Sequence, residues 1–420
     1  MLRAALVAAV LVVTASSPAS AQSGALDTSF SEDGKVLLHF GPDTDASASL
    51  DVWVTSSGKV VTAGPVITGT ESVFGVSRLR ANGTPDPSFR GTGRRLTSLT
   101  GQDVPRRVVP TGGGAFLVGG SAGNAFGLVA FRPDGRLDRE FGTGGKVTTD
   151  VSAGADEIRD VRVQPDGSIL VAGTAGDGFA VARYLRNGTL DASFGNGGVV
   201  LTTDAFPGHA ETVRLQPDGR LLVVGRSEAD DRGYYGFAVA RYDLEGALDP
   251  TFGGGDGLVT TLPPGREYTT AYAVIVQPDG RIVVGGSAFG EGDYSYFCLA
   301  RYRSDGTPDP AFGVDGVSVK TIRLFYNGIF ALARQRDGKI VAAGWTLLSF
   351  TSYEFAVARY RADGGLDRSF SQDGRAVIGF GPRHAAKQGA VAVRRGRIVA
   401  AGQEGRESGR GSAFVVRLRQ

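Results

Sequence analysis

The chain of 420 residues has a single cysteine, Cys298, so no disulfide can form within it and stability has to come from packing. Cys298 lies in Tyr296-Phe297-Cys298-Leu299-Ala300-Arg301-Tyr302, where comparable stretches carry Ala or Val, and reads as a buried small apolar residue rather than a nucleophile. Histidine is as scarce. His39, His209 and His384 are too few and too scattered along the chain to converge on one metal ion. No apolar run reaches the ~20 residues needed to cross a bilayer, so no membrane insertion is expected. An excess of one charge is missing too: 45 basic and 43 acidic groups leave +2, giving no electrostatic reason to expect nucleic acid or a membrane surface as partner. There is neither a phosphate-cradling glycine loop at a strand–helix junction nor a ligand set for a redox metal, and no cofactor is expected.

Glycine, at 64 residues, is abundant, and short apolar runs alternate with Gly, Pro, Asn and Asp clusters, which points to strands joined by tight turns. At the start, Arg3, an apolar run from Ala4 to Val13 and the small-x-small site Ala19-Ser20-Ala21 read as a signal peptide over residues 1–21. The product is expected to be secreted or periplasmic, in any case extracytoplasmic, and to act as a monomer.

The chain is organised around Leu26-Asp27-Thr28-Ser29-Phe30, versions of which return six more times, ending at Phe89, Phe141, Phe194, Phe252, Phe312 and Phe370, 52 to 60 residues apart. Within one repeat, Gly198 to Thr203, Glu211 to Gln216, Arg220 to Val224 and Gly236 to Tyr242 read as four strands. Between two of them Pro217-Asp218-Gly219 supplies a preset φ, a local hydrogen-bonding side chain and a residue tolerant of positive φ, and it recurs at Pro165-Asp166-Gly167 and Pro278-Asp279-Gly280. Runs such as Ile282-Val283-Val284 are apolar without interruption, as strands covered on both faces require. Tandem four-stranded meanders of this kind predict an all-β fold, a seven-bladed β-propeller of four-stranded antiparallel blades occupying residues 22–420. The blades are placed at about 34–82, 93–135, 145–188, 197–245, 257–306, 316–364 and 374–420, with Leu26 to Phe30 able to close the ring as the connector that the last blade lacks.

LDxSFGxxG, then QPDGxIxVxG, then FAVARYxxDG resembles the delta-60 repeat family of bacterial exported proteins over essentially the whole mature chain. The resemblance implies a β-propeller and no established activity, so no catalytic residues follow from it. The second repeat departs most, with Thr111-Gly112-Gly113-Gly114 in place of the turn and Ala130 in place of an arginine.

Several motifs have plain structural readings. Gly119-Gly120-Ser121-Ala122-Gly123 matches a nucleophile elbow, but no helix follows and other repeats put similar strand exits there. Asp43 and Asp45 suit a solvated turn better than a calcium site, and Asn82-Gly83-Thr84 and Asn187-Gly188-Thr189 are repeat turns that also fit the glycosylation sequon. The connector aspartates Asp27, Asp86, Asp138, Asp191, Asp249, Asp309 and Asp367 are expected to cap connector amides or to pair with Arg78, Arg183, Arg241, Arg301 and Arg359, with each connector Phe wedged between blades.

The conserved-looking turns share one end of such blades, which leaves the loops that vary in length at the other end for recognition. There, aromatic residues concentrate: Tyr234, Tyr235, Tyr268, Tyr294, Tyr296, Tyr326, Trp345 and Tyr353 are the candidate ligand-binding residues, joined by Phe289, Phe325 and Phe350. Exposed Tyr and Trp offer rigid area with a polar tip, suited to carbohydrate or protein ligands. The expected function is a binding or scaffold module; the alternative is a hydrolase or lyase whose acidic site at the propeller mouth is drawn from Asp230, Asp231, Glu267 and Asp293.

Overall fold

The computed structural model describes residues 25–41, 44, 46–176, 178–290, 294–322, 326–349, 352–378, 384–394, 397–406 and 411–419; the leader read at 1–21 and Asp43, Asp45, Glu291, Asp293, Phe325 and Phe350 lie outside them. All regular structure among the described residues is β, and no helix is long and apolar enough to cross a membrane.

One repeat shows how the sequence builds a sheet. Asp156–Val163 turns through Pro165-Asp166-Gly167 into Ile169–Ala175, with Gly167 at φ +90° and the Ser168 amide bonded to Asp166 Oδ1 at 2.9 Å. Ile169–Ala175 then pairs antiparallel with Gly178–Tyr184. The connector after Tyr184 is a tight loop: the Asp191 amide donates to the Arg183 carbonyl at 2.8 Å and the Gly198 amide to the Phe194 carbonyl at 2.8 Å. That loop folds the chain back, so residues 199–202 pair antiparallel with Gly178–Tyr184.

The blade boundaries read from the sequence are therefore shifted by one strand. The connector does not lead from one sheet to the next but closes a hairpin inside a sheet, and the short strand after it is the fourth, outer strand of the sheet before it. In the repeat used as specimen, the strands read separately from Gly198 and from Glu211 are one element, Val199–Leu215, whose first part pairs with Gly178–Tyr184 and whose second part pairs with Leu221–Glu228.

Four-stranded antiparallel sheets of this kind run from Asp103–Gly112 to Lys146–Thr149 and from Asn327–Arg334 to Arg375–Ile378. Those between Asp156 and Lys320 join into one eleven-stranded sheet through Val199–Leu215 and a single parallel pairing of Tyr235 with Tyr268. At the chain ends, Lys35–Leu38 pairs with Gly411–Arg419, completing a four-stranded sheet whose other strands come from the C-terminal region.

Packing explains the uninterrupted apolar strands. Ile169 and Val171 face the sheet before, against Leu128 and Phe126, whereas Leu170 and Ala172 face the sheet after, against Val213 and Val223. The last sheet packs on the first in the same way, Ala390, Val399 and Val415 against Val52, Val60 and Leu79. Each connector Phe is a wedge in these interfaces: Phe30, Phe89, Phe194, Phe252, Phe312 and Phe370 are fully buried, a burial that stabilises by roughly 1.5–3 kcal/mol each.

A repeated clasp holds neighbouring sheets together. Arg183 donates from Nε to Asp191 Oδ2 at 2.7 Å, from Nη2 to Ser193 Oγ at 2.9 Å and from Nη1 to the Leu244 carbonyl of the following repeat at 2.6 Å. Its guanidinium lies 4.7 Å from the centre of the Phe194 ring. Arg78 with Asp86, Arg241 with Asp249, Arg301 with Asp309 and Arg359 with Asp367 repeat the ion pair. Asp27 takes Arg417 at 2.9 Å, and Arg417 Nη1 reaches the Ala81 carbonyl, so the same clasp joins the last strand to the first connector and first sheet. In the second repeat Ala130 removes the arginine, and Asp138 is left to an exposed contact with Arg132 at 3.4 Å.

Candidate functional site

The first strand of each sheet lines the centre, and it is there that the ladders break. Register shifts fall between Pro105 and Arg107, Ile158 and Asp160, Ala210 and Thr212, Ala271 and Ala273, and Ile329 and Ala331, leaving one extra residue each time: Arg106, Arg159, Glu211, Tyr272 and Phe330. The cause is a glycine on the second strand. A Cβ at Gly225 would stand 1.8 Å from the His209 carbonyl oxygen, and one at Gly173 the same distance from the Glu157 oxygen, so only glycine lets the bulged backbone close in.

These extra residues converge. A cavity of about 400 Å³ is lined by Arg106, Arg159, Glu211, Tyr272 and Phe330 together with Leu50, Arg107, His209 and Arg226. Successive repeats thus each supply one side chain to a common space, of the size typical for small-ligand sites.

Its floor is a buried ion network. Asp160, with no exposed surface, takes Arg107 Nε at 2.9 Å, Arg162 Nη2 at 2.8 Å, the Thr212 hydroxyl at 2.5 Å and the Val213 amide at 3.0 Å. Burial pushes the Asp160 carboxyl up, but Arg162 and Arg107 outweigh it and hold the group ionised. Asp51, which accepts from the Val108 amide at 2.9 Å, is instead pushed up, burial prevailing over Arg107.

In the cavity wall the charges are less fully paired. Arg106 bonds Glu157 through Nε at 2.7 Å, and Arg159 meets Glu157 at 2.9 Å and Glu211 at 3.8 Å. Burial raises the Glu211 carboxyl above its usual range, with Arg159 and Arg106 acting against that. Arg226 has no carboxylate within ion-pair distance among the described residues, and its Nε–H and that of Arg159 are buried without a hydrogen-bond acceptor. The Arg226 guanidinium lies over two rings instead, 5.7 Å from the centre of Tyr235 and 5.2 Å from that of Tyr268.

Two aromatic groups flank the cavity. Tyr235 and Tyr268 pack at 5.3 Å, with Phe289 edge-on to Tyr268 at 5.9 Å. Trp345 stacks on Phe330 at 6.5 Å and Tyr272 packs against Phe330 at 5.2 Å. Of the residues read from the sequence, Tyr235, Tyr268 and Trp345 therefore meet residues that line the cavity. Tyr234 stands apart under Arg232, with its hydroxyl 3.4 Å from Glu267, and Tyr296 lies under Arg266. Tyr294 is exposed, and Tyr326 contributes its carbonyl to the Leu347 amide. Tyr353 pairs by backbone with Leu347, its side chain lying outside the described part.

Of the carboxylates expected at an acidic mouth, Asp230, Asp231 and Glu267 lie among the described residues, and none of the three lines this cavity. Asp230 is held by Arg232 in its own loop, which lowers its carboxyl, Asp231 is exposed and Glu267 faces Tyr234. Arg106, Arg159, Glu211, Arg226, Tyr272 and Phe330, which do line the cavity, are not among the site residues read from the sequence. A signal was present: Arg159, Glu211, Tyr272 and Phe330 stand five positions before Gln164, Gln216, Gln277 and Gln335, a column that runs from basic to acidic to aromatic while the position before it stays apolar.

Five segments, 55–89, 164–194, 216–252, 277–312 and 335–370, match the model of the DUF5122 β-propeller domain of unknown function. No curated protein matches the sequence. Among solved structures, a PL25 polysaccharide lyase, an ulvan lyase bound to -[GlcA(1-4)Rha3S]-, superposes with a TM-score of 0.54 at 8% identity, covering 95% of this chain and 94% of that one. The polysaccharide lyase Uly1 gives 0.51 at 10% identity over 97% and 94%. A protein of unknown function from Dyadobacter fermentans DSM 18053 gives 0.42 at 13% identity over 92% and 98%. At these identities the likeness to the two lyases is one of fold. Since the matched segments each hold the PDG-type turn and the connector that build the sheets described above, the chain is a β-propeller repeat protein.

Proposed function

We propose that the chain is an exported, seven-bladed β-propeller that serves as a carbohydrate-binding module at the end bearing its variable loops. The observation that carries this reading is the meeting of loop aromatics with the cavity wall: Tyr235 and Tyr268 beneath Arg226, and Trp345 on Phe330. Flat rings beside hydrogen-bonding groups suit sugar faces, and two proteins of similar fold are polysaccharide lyases, which is compatible with a carbohydrate ligand. The packing of the last sheet on the first, and the pairing of Lys35–Leu38 with Gly411–Arg419, support a closed ring of seven. An array of glycans and cell-wall polymers, probed with the chain from Gln22 onward and with a variant carrying Tyr235→Ala, Tyr268→Ala and Trp345→Ala, tests it. Binding lost in the variant supports recognition at this face; binding retained by a folded variant, or no binding by either protein, overturns it in favour of a protein ligand or a structural role.

A second reading, a hydrolase or lyase, is favoured by Glu211, whose raised carboxyl stands in the same cavity as Tyr272 and His209. Release of new reducing ends or unsaturated products from any bound polymer would support that reading, and intact polymer after long incubation would exclude it.

A further inference from the structure

We propose that the central cavity is an acid-group site: it binds a carbohydrate residue through a carboxylate or sulfate held by Arg226 and Arg159, the sugar ring resting on Tyr272 and Phe330. This deepens the carbohydrate reading above and rests on it.

The upper wall sets three guanidiniums, Arg106, Arg159 and Arg226, against two carboxylates, Glu157 and Glu211. Glu157 is shared by Arg106 and Arg159, and Glu211 stands 3.8 Å from Arg159, a loose contact. Arg226 acts on Glu211 through space but has no carboxylate within ion-pair distance among the described residues, and the buried Nε–H groups of Arg226 and Arg159 lack acceptors. An unpaired cation with unsatisfied donors in a confined space costs free energy that an anionic ligand recovers, and a guanidinium offers two parallel donors that fit carboxylate and sulfate oxygens alike. Arg226 is also held in place, because its guanidinium packs against both Tyr235 and Tyr268, so little conformational freedom is lost on binding.

The second element is shape. Tyr272 and Phe330 meet at 5.2 Å and an angle of 58°, with Trp345 behind Phe330. This presents an aromatic surface to the same cavity of about 400 Å³ that the guanidiniums line. Cation and aromatic surface together describe a ligand with one anionic group on a ring of modest polarity. A free inorganic anion would use only half of the site. The bulges give the third element: the extra residue in each first strand stands at a position where the ladder makes no demand on its chemistry, and four of the five name polar or ionisable side chains, Arg106, Arg159, Glu211 and Tyr272.

The test pairs charged and neutral forms of the same polymer: polygalacturonate against its methyl ester for the carboxylate, and dextran sulfate against dextran for the sulfate. Titration calorimetry with the chain from Gln22 onward is expected to show binding to at least one charged member and at least about tenfold weaker binding to its neutral counterpart. Arg226→Gln is expected to weaken the charged ligand by a similar factor. Glu211→Gln, which removes a competing carboxylate and leaves the fold intact, is expected to strengthen it several-fold and keeps the test decisive if Arg226→Gln fails to fold. Arg232→Gln, outside the cavity, serves as the control and is expected to leave binding unchanged. Equal binding of charged and neutral forms, or indifference to both cavity variants, overturns the acid-group site while leaving the carbohydrate reading standing. Absence of binding to all four polymers and to the glycan array overturns both.

Discussion

Arg301 Nε donates to Asp309 Oδ2 at 2.8 Å, while Nη1 of the same guanidinium donates to the Ala362 carbonyl of the following repeat at 2.5 Å. One side chain thus fixes the connector of its own sheet and reaches across to the next. The pair is buried, at 7% and 5% side-chain exposure, so Asp309→Ala leaves a cation without its partner and is expected to cost roughly 3–5 kcal/mol. Asp138→Ala, whose one arginine contact among the described residues is exposed at 3.4 Å, is expected to cost under about 1 kcal/mol. Urea denaturation of the two variants checks the contrast, and equal losses would show that the clasp is not what the connector aspartate supplies.

Acid should undo these clasps together. Burial pushes the Asp27 carboxyl up, but Ser29, Arg417 and Arg397 outweigh it and bring it down to about 2 from 3.8; Asp86 and Asp367 are lowered further, and Asp309 and Asp249 move the same way. A carboxyl depressed in the folded state stabilises fully above its unfolded value, and that contribution disappears as pH falls through the folded one. Stability is therefore expected to be level at neutral pH and to fall steeply between about pH 4 and pH 2. Thermal melts across that range read it, and in the Asp27→Asn variant the fall should be shallower.

Gly225→Ala is expected to destabilise the chain by more than about 2 kcal/mol, because the new methyl group would lie 1.8 Å from the His209 carbonyl oxygen and the first strand would have to move. The same variant should impair ligand binding, since that oxygen belongs to the bulge that projects Glu211. Circular dichroism melts and the calorimetric assay are the two readouts.

Cys298 is expected to be inert in the native protein. It is fully buried, and burial pushes its thiol up to about 12, so the reactive thiolate is scarce at neutral pH. Ellman's reagent should label it only at the rate of unfolding; fast labelling of the folded chain would mean that the sheet Ser295–Tyr302 opens readily.

The β class, the turns at Asp166, Asp218 and Asp279 and the burial of the connector Phe residues were legible because each is written in local chemistry: apolar strands, Pro-Asp-Gly, and a recurring ring. The grouping of strands was not. Whether the segment after Phe194 belongs to the sheet before or after it depends on the direction in which Asp191 and Gly198 turn the chain, through bonds to Arg183 and Phe194 that no periodicity records. The cavity was hidden for a related reason. A bulge shifts the alternation by one, so Glu211 reads as an ordinary strand start, and Arg226 acquires its role only when Tyr235 and Tyr268, from successive repeats, come to lie beneath it. Aromatic loop residues such as Tyr294 were found by composition, which identifies exposed rings but not the ones that share a wall with charged groups.

The bulge glycines have a consequence for how such a chain changes over time. Because Gly173, Gly225, Gly286 and Gly344 create the bulges without regard to what the extra residue is, Arg159, Glu211, Tyr272 and Phe330 are free to drift while Phe194, the turns and the clasps hold the scaffold constant. On the proposed reading, recognition is stored as a short word, one letter per repeat, that can be rewritten by point substitutions without renegotiating the fold. A combinatorial library confined to those letters would sample new specificities at the small stability cost of surface changes.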